Sequence, residues 1–216
     1  MKNNEFSIEL LNDKTLVDQV VNIHMKAFPE FFLTFLGEKF LHTLYTGFLN
    51  HNDSGLIIAR KKESNSIVGF LAYSKDLSNF YKWLLKHKIV QFGFYSLIAA
   101  IKSPKSIFRL IRAFLYPSQA NKEEDYIEIS SLGVLPGSSN GGIGSNLLSS
   151  FTSLIDTTGY NYIELTTDAK NNHKANYFYQ KNGFILNKSY KTPEGREMNE
   201  YRYKLKGNNG INKQQK

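Results

Sequence analysis

A run of glycines marks the place where a strand gives way to a helix. Residues Val134-Leu135-Pro136-Gly137-Ser138-Ser139-Asn140-Gly141-Gly142-Ile143-Gly144-Ser145-Asn146-Leu147-Leu148 read as a strand end, a loop and the first turns of an amphipathic helix. The leading amides of a helix have no partner within it, and its dipole favours an anion beside them. Glycines keep side chains away, so a diphosphate can approach the main chain from Ser139 to Ser145. Three other readings compete. The dinucleotide fingerprint has a different glycine spacing and opens a βαβ unit. The ATP-binding loop ends Gly-Lys-Ser/Thr, where this chain has Gly144-Ser145-Asn146. A turn without a ligand is disfavoured by the entropy that tandem glycines lose on folding. A second feature is Glu128, in the otherwise apolar stretch Tyr126-Ile127-Glu128-Ile129. Burial would raise its pKa into the range of a general base; a strand-face glutamate paired with lysine, or in solvent, is the competing reading. Glu164 is a second, weaker candidate.

Other chemistries lack their residues. There is no cysteine, hence no disulfide, thiolate nucleophile or zinc–thiolate site. The histidines His24, His42, His51, His87 and His173 show no metal spacing and read as surface or capping groups. No serine lies in a nucleophile elbow.

The elements that must position these groups follow from periodicity. Phe6 to Leu11 reads as a strand, and Asn12 or Asp13 caps a helix reaching about Phe28, before Pro29. A helix from Gly37 to Asn50 follows, then a hairpin of Leu56–Arg60 and Ile67–Ser74. Tyr126 to Val134 is a strand, the glycine loop leads to a helix ending near Thr158, and Gly159 stops it. Tyr162–Thr167 is a strand and His173–Lys181 a short helix. Phe184–Tyr190 and Met198–Leu205 are closing strands. Residues 207–216 are polar and expected to be disordered. The chain of 216 residues is read as one domain, 1–206, with an insertion at 76–122.

The glycine stretch resembles the acetyl-CoA-binding motif of the GNAT superfamily of N-acetyltransferases, Arg/Gln-x-x-Gly-x-Gly/Ala after a strand ending Val-x-Pro. Gly142 and Gly144 match its glycines and Val134 and Pro136 the strand end, while Ser139 stands at the Arg/Gln position. A second motif resembles the family's in Asn172, Ala175, Tyr179 and Gly183-Phe184. The resemblance implies an α/β (α+β) fold with a mixed, mostly antiparallel sheet flanked by helices; where the family joins strands three and four by a short turn, this chain has a helical insertion. It implies acetyl-CoA as co-substrate, no metal, and direct attack by a primary amine. It also implies a role for each matching residue. Tyr179 would be the general acid and a cofactor contact. Leu132, Gly133 and Val134 would meet the oxyanion and the pantetheine arm through their main chain, as would the loop the diphosphate. Asn172 would contact the cofactor, with a helix N-cap as its competing role. Tyr177 and Phe178 would pack. Glu128 stands where some members carry a glutamate.

The charge is local. The net +8 resides mostly in residues 76–119, which hold seven Lys/Arg against Asp76 alone. That argues against a chain-wide nucleic-acid footprint. The insertion reads as a solvated decoration, a lid over an anionic acceptor, or a peripheral contact with an anionic membrane surface through 76–119. The expected partner is a small-molecule amine, an amino sugar or nucleotide-linked sugar among the options. Monomer or homodimer is left open. The polar N-terminus and the absent cysteines fit a cytoplasmic protein. The competing functions are a non-catalytic CoA-responsive or membrane-binding module and transfer of a longer acyl chain.

Overall fold

Residues 5–87, 125–138, 141–193 and 195–205 are described in the computed structural model. Strand β1 (Phe6–Leu10) is followed by Asp13, whose carboxylate accepts from the Thr15 amide and opens a short 3-10 turn. Helix α1 (Val17–Ala27), the turn α2 (Phe32–Phe35) and α3 (Glu38–Asn50) come next. Strands β2 (Ser54–Lys61) and β3 (Ile67–Ser74) form the expected hairpin, and the residues 77–87 begin helix α4. Then follow β4 (Tyr126–Val134), α5 (Ile143–Leu154), β5 (Tyr162–Asp168), α6 (His173–Lys181), β6 (Ile185–Lys191) and β7 (Glu197–Lys204).

The described strands make one sheet in the order β1-β2-β3-β4-β5-β7-β6, and among them only β4 and β5 run parallel. Helices cover both of its faces. On one, Val20, Val21 and Ile23 of α1 and Phe40, Leu44 and Phe48 of α3 pack on Leu56, Ile58, Phe70 and Ala72. On the other, Leu147 and Phe151 of α5 pack on Ile57, Leu71, Ile127, Ile129 and Leu165. Each fully buried side chain of this size stabilises the fold by about 1.5–3 kcal/mol. Strand β3 is buried along its whole length, which explains its unbroken apolar sequence rather than an alternating one.

The insertion begins inside the core. Phe80 stacks on Phe48 at 4.2 Å, and Phe80 and Leu84 are fully buried, while Lys82 and Lys86 stay exposed. Gly47 permits this approach, since a Cβ there would stand 2.5 Å from Leu84. Thus the described start of the insertion is no surface decoration. The rest of the reading of 76–122 and the tail at 207–216 lies outside the described residues. Helix α5 ends at Leu154, short of the expected Thr158, because Ile155 turns extended and Asp156 accepts from the Thr158 amide. No helix among the described residues is long and apolar enough to cross a membrane.

Candidate active site

Strands β4 and β5 pair only at their starts, Tyr126–Glu128 opposite Tyr162–Glu164. Beyond that, β4 stays bonded to β3 as far as Val134, and β5 to β7 as far as Asp168. The two strands therefore part company, and β4 from Ile129 to Val134 keeps one edge without a strand partner among the described residues. An unpaired strand edge offers a row of main-chain donors and acceptors to an extended ligand. Leu132, Gly133 and Val134 lie on it. Leu132 and Val134 pack toward α5, and Gly133 is buried where a Cβ would meet Phe70 and Phe28.

At the end of that edge stands the start of α5. Gly142 takes a left-handed conformation, φ 72°, and supplies no side-chain cap. Beyond Gly137 and Gly142 the space a side chain would fill is open. Gly141 and Gly142 are exposed, Ser145 is half-buried, and Ile143 and Gly144 are buried. Gly144 does a different job: its Cβ would stand 3.0 Å from Phe178, so it sets how closely α5 approaches α6. Ser139 and Asn140 lie outside the described residues.

The chain matches the acetyltransferase (GNAT) family over residues 17–184. It belongs to that family. None of the curated proteins matches it in sequence. Similar solved structures include Arabidopsis thaliana NAA60 in complex with acetyl-CoA, 18% identical, TM-score 0.56, covering 94% of this chain and 99% of that one. The Escherichia coli ribosomal-protein-S18-alanine N-acetyltransferase is 14% identical, TM-score 0.56, with 95% and 98% covered. A point mutant of the Vibrio cholerae spermidine N-acetyltransferase SpeG is 10% identical, TM-score 0.56, with 94% and 95% covered. At such identities the likeness is one of fold, and it extends over nearly the whole of each chain. Enzymes of the GNAT family are acyl-CoA N-acetyltransferases, and the mostly antiparallel seven-stranded sheet described here is theirs.

Within this GNAT fold the candidate side chains stand on both faces of the parting strands. Tyr179 of α6 is half-buried against Phe178, Phe184 and Tyr201, and burial pushes its phenol up to about 12. It is therefore a protonated donor at neutral pH, with no hydrogen bond to its hydroxyl among the described residues. Asn172 precedes α6 but makes no side-chain cap; its amide donates instead to the Thr167 hydroxyl at 2.7 Å, tying α6 to the end of β5. Tyr177, expected to pack, is 67% exposed. Glu128 points to the face opposite Ile127 and Ile129, toward α3 and α4. There its charge raises the phenols of Tyr81 and Tyr126, both already raised by burial. Glu164, its neighbour on β5, is 1% exposed and held by Arg202 at 3.1 Å, so its charge is already matched.

Several residues here escaped the sequence reading. Tyr81, from α4, is hydrogen-bonded with Ser130 beside Glu128. Asn176 is the hub of α6: its amide donates to the Asp168 and Asn172 carbonyls and accepts from Asn199 and Tyr201. His24 and His51 are buried rather than superficial. His24 Nδ1 lies 2.6 Å from the Tyr45 hydroxyl, and His51 Nδ1 3.1 Å from Ser54 Oγ, with Phe80 and Trp83 edge-on to its ring. Apolar helical spacing places His24 on the inner stripe of α1, a signal that was available. Among the described residues no group of three His, Cys, Asp or Glu is placed to hold a metal ion.

Proposed function

We propose that this chain transfers the acetyl group of acetyl-CoA to the primary amine of a small molecule, through a ternary complex and direct attack. One observation carries the reading: the β4 edge, without a strand partner among the described residues, leads toward an α5 N-terminus preceded by Gly141 and Gly142 and capped by no side chain. An extended arm can pair along that edge while its diphosphate meets the helix amides. The loop main chain from Ser139 to Ser145 is proposed for the diphosphate, Leu132 to Val134 for the arm, and Asn172 for a further cofactor contact.

The chemistry divides between the two faces. The amine must lose a proton before attack, since an alkylammonium with pKa near ~10 is almost wholly charged at pH 7. Glu128 takes that proton, directly or through water. The nitrogen then bonds to the thioester carbon, the C–S bond breaks, and Tyr179 protonates the departing sulfur from the α6 side. The Glu128 carboxylate at the β4–β5 junction also favours a cationic acceptor there. NAA60 crystallised with acetyl-CoA supports the co-substrate, and the spermidine enzyme supports a small amine.

Calorimetric titration with acetyl-CoA, desulfo-CoA and NADH tests the cofactor. Micromolar binding of the CoA compounds alone is expected, followed by thiol release with an amine panel. Absence of CoA binding would refute the proposal and favour a module acting through its basic insertion. Faster turnover with longer acyl-CoAs would replace acetyl by a longer acyl group.

A further inference from the structure

Strand β4 carries an irregularity at the point where it loses its β5 partner. Tyr73 lies opposite Ile129, and Ala72 opposite Ser131, so Ser130 is an extra residue with nothing across from it. In a regular strand Glu128 and Ser131 would point to opposite faces. The bulge changes the alternation, and both now point toward the α1–α3 face. Ser131 is half-buried and follows Ser130, whose hydroxyl is engaged by Tyr81.

Behind it runs a buried polar chain. The Tyr45 hydroxyl donates to Ser131 Oγ at 3.5 Å, and His24 Nδ1 lies 2.6 Å from the same hydroxyl. Tyr45 is 1% exposed and His24 fully buried, and His24 Nε2 has no hydrogen-bond partner among the described residues. One distribution of protons suits these contacts better than the other. If Tyr45 donated to His24, the imidazole proton would sit on Nε2 as an unpaired buried N–H. If Nδ1 carries the proton and donates to Tyr45, the phenol donates onward and Nε2 keeps only a lone pair. An orphaned buried acceptor is less rare in proteins than an orphaned N–H. The chain thus runs His24 to Tyr45 to Ser131, and Ser131, having accepted, has its own proton left to give.

We propose that Ser131 is a catalytic hydrogen-bond donor to the acetyl carbonyl, and that Tyr45 and His24 are positioning residues that fix its direction. The inference rests on the acetyl-transfer reading above. An arm paired with residues 132–134 brings its acetyl end toward Ser131, where negative charge develops on the carbonyl oxygen as the amine adds. A donor fixed in advance stabilises that charge without reorganising.

The test needs no knowledge of the acceptor. Carbonyl-labelled acetyl-CoA is bound to the full chain, and the thioester stretch is read by infrared difference spectroscopy in the wild type, Ser131→Ala, Tyr45→Phe and the double variant. The expected result is a stretch shifted to lower frequency in the wild type. Ser131→Ala should lose that shift, Tyr45→Phe most of it, and the double variant no more than Ser131→Ala alone. Ser131→Thr, which keeps the hydroxyl, should restore it. If Tyr45→Phe does not fold, the Ala and Thr variants decide the question. A wild type that binds acetyl-CoA with the same carbonyl frequency as Ser131→Ala overturns this inference and leaves acetyl transfer standing. A wild type that binds no acetyl-CoA removes both.

Discussion

Replacing His24 by glutamine should make the fold less sensitive to acid. The His24 side chain is fully buried among Phe28, Phe31 and Tyr45, and burial lowers its pKa from 6.5 to about 4. Above pH 6.5 the imidazole is neutral in both the folded and the unfolded chain, and the group imposes no pH dependence. Between 6.5 and about 4 the unfolded chain binds a proton that the folded chain refuses, so stability falls as pH falls. The slope tends to about 1.4 kcal/mol per pH unit, which amounts to about 2 kcal/mol between pH 7 and pH 5. Below about 4 the folded state is protonated too, and the loss stops growing. Glutamine can still donate to Tyr45 but does not titrate. Urea unfolding followed by circular dichroism at pH 7 and pH 5 gives the comparison. The variant should be the less stable protein at pH 7, through imperfect packing, and the difference should close by about 2 kcal/mol at pH 5. Differences between the two proteins cancel the carboxylates that also titrate in acid. Parallel pH dependences for variant and wild type would refute the argument, for they would mean that His24 binds its proton equally well in the folded core.

Three other substitutions have definite expectations. Glu128→Gln should lower turnover about 100-fold at neutral pH, and the loss should shrink as pH rises and more free amine exists; a pH-independent loss in the rate profile would mark a structural role. Tyr179→Phe should lower kcat by about 10-fold or more and leave the calorimetric affinity for CoA unchanged, and unchanged kcat would remove Tyr179 from the mechanism. Gly144→Leu should force α5 from Phe178, cost about 1–3 kcal/mol in urea unfolding and weaken acetyl-CoA binding, whereas wild-type values of both would show the contact to be soft.

The elements were largely legible because local forces set them. Alternation and helical spacing located the strands and longer helices to within a few residues, Asp13, one of two expected caps, opens the 3-10 turn before α1, and the glycine run located the loop before α5. What was hidden arises only on assembly. The bulge at Ser130 exists in the pairing of β4 with β3, and the polar chain needs α1, α3 and β4 together. Asn172 illustrates the limit in another way. Its type and place announce a helix cap, yet Thr167 stands close enough to take its amide. Glu164 was a fair candidate for a base until its cross-strand neighbour proved to be Arg202.

The stacking of Phe80 on Phe48 has a consequence for anyone who would shorten the chain. A long excursion costs little loop entropy, because that cost grows only with the logarithm of length. The insertion could thus look removable. But its first turns close the hydrophobic layer over α3, and cutting at Asp76 would strip Phe80 from Phe48, Leu84 from Gly47, and Leu77 from the same core. A minimal enzyme must keep residues 77–87.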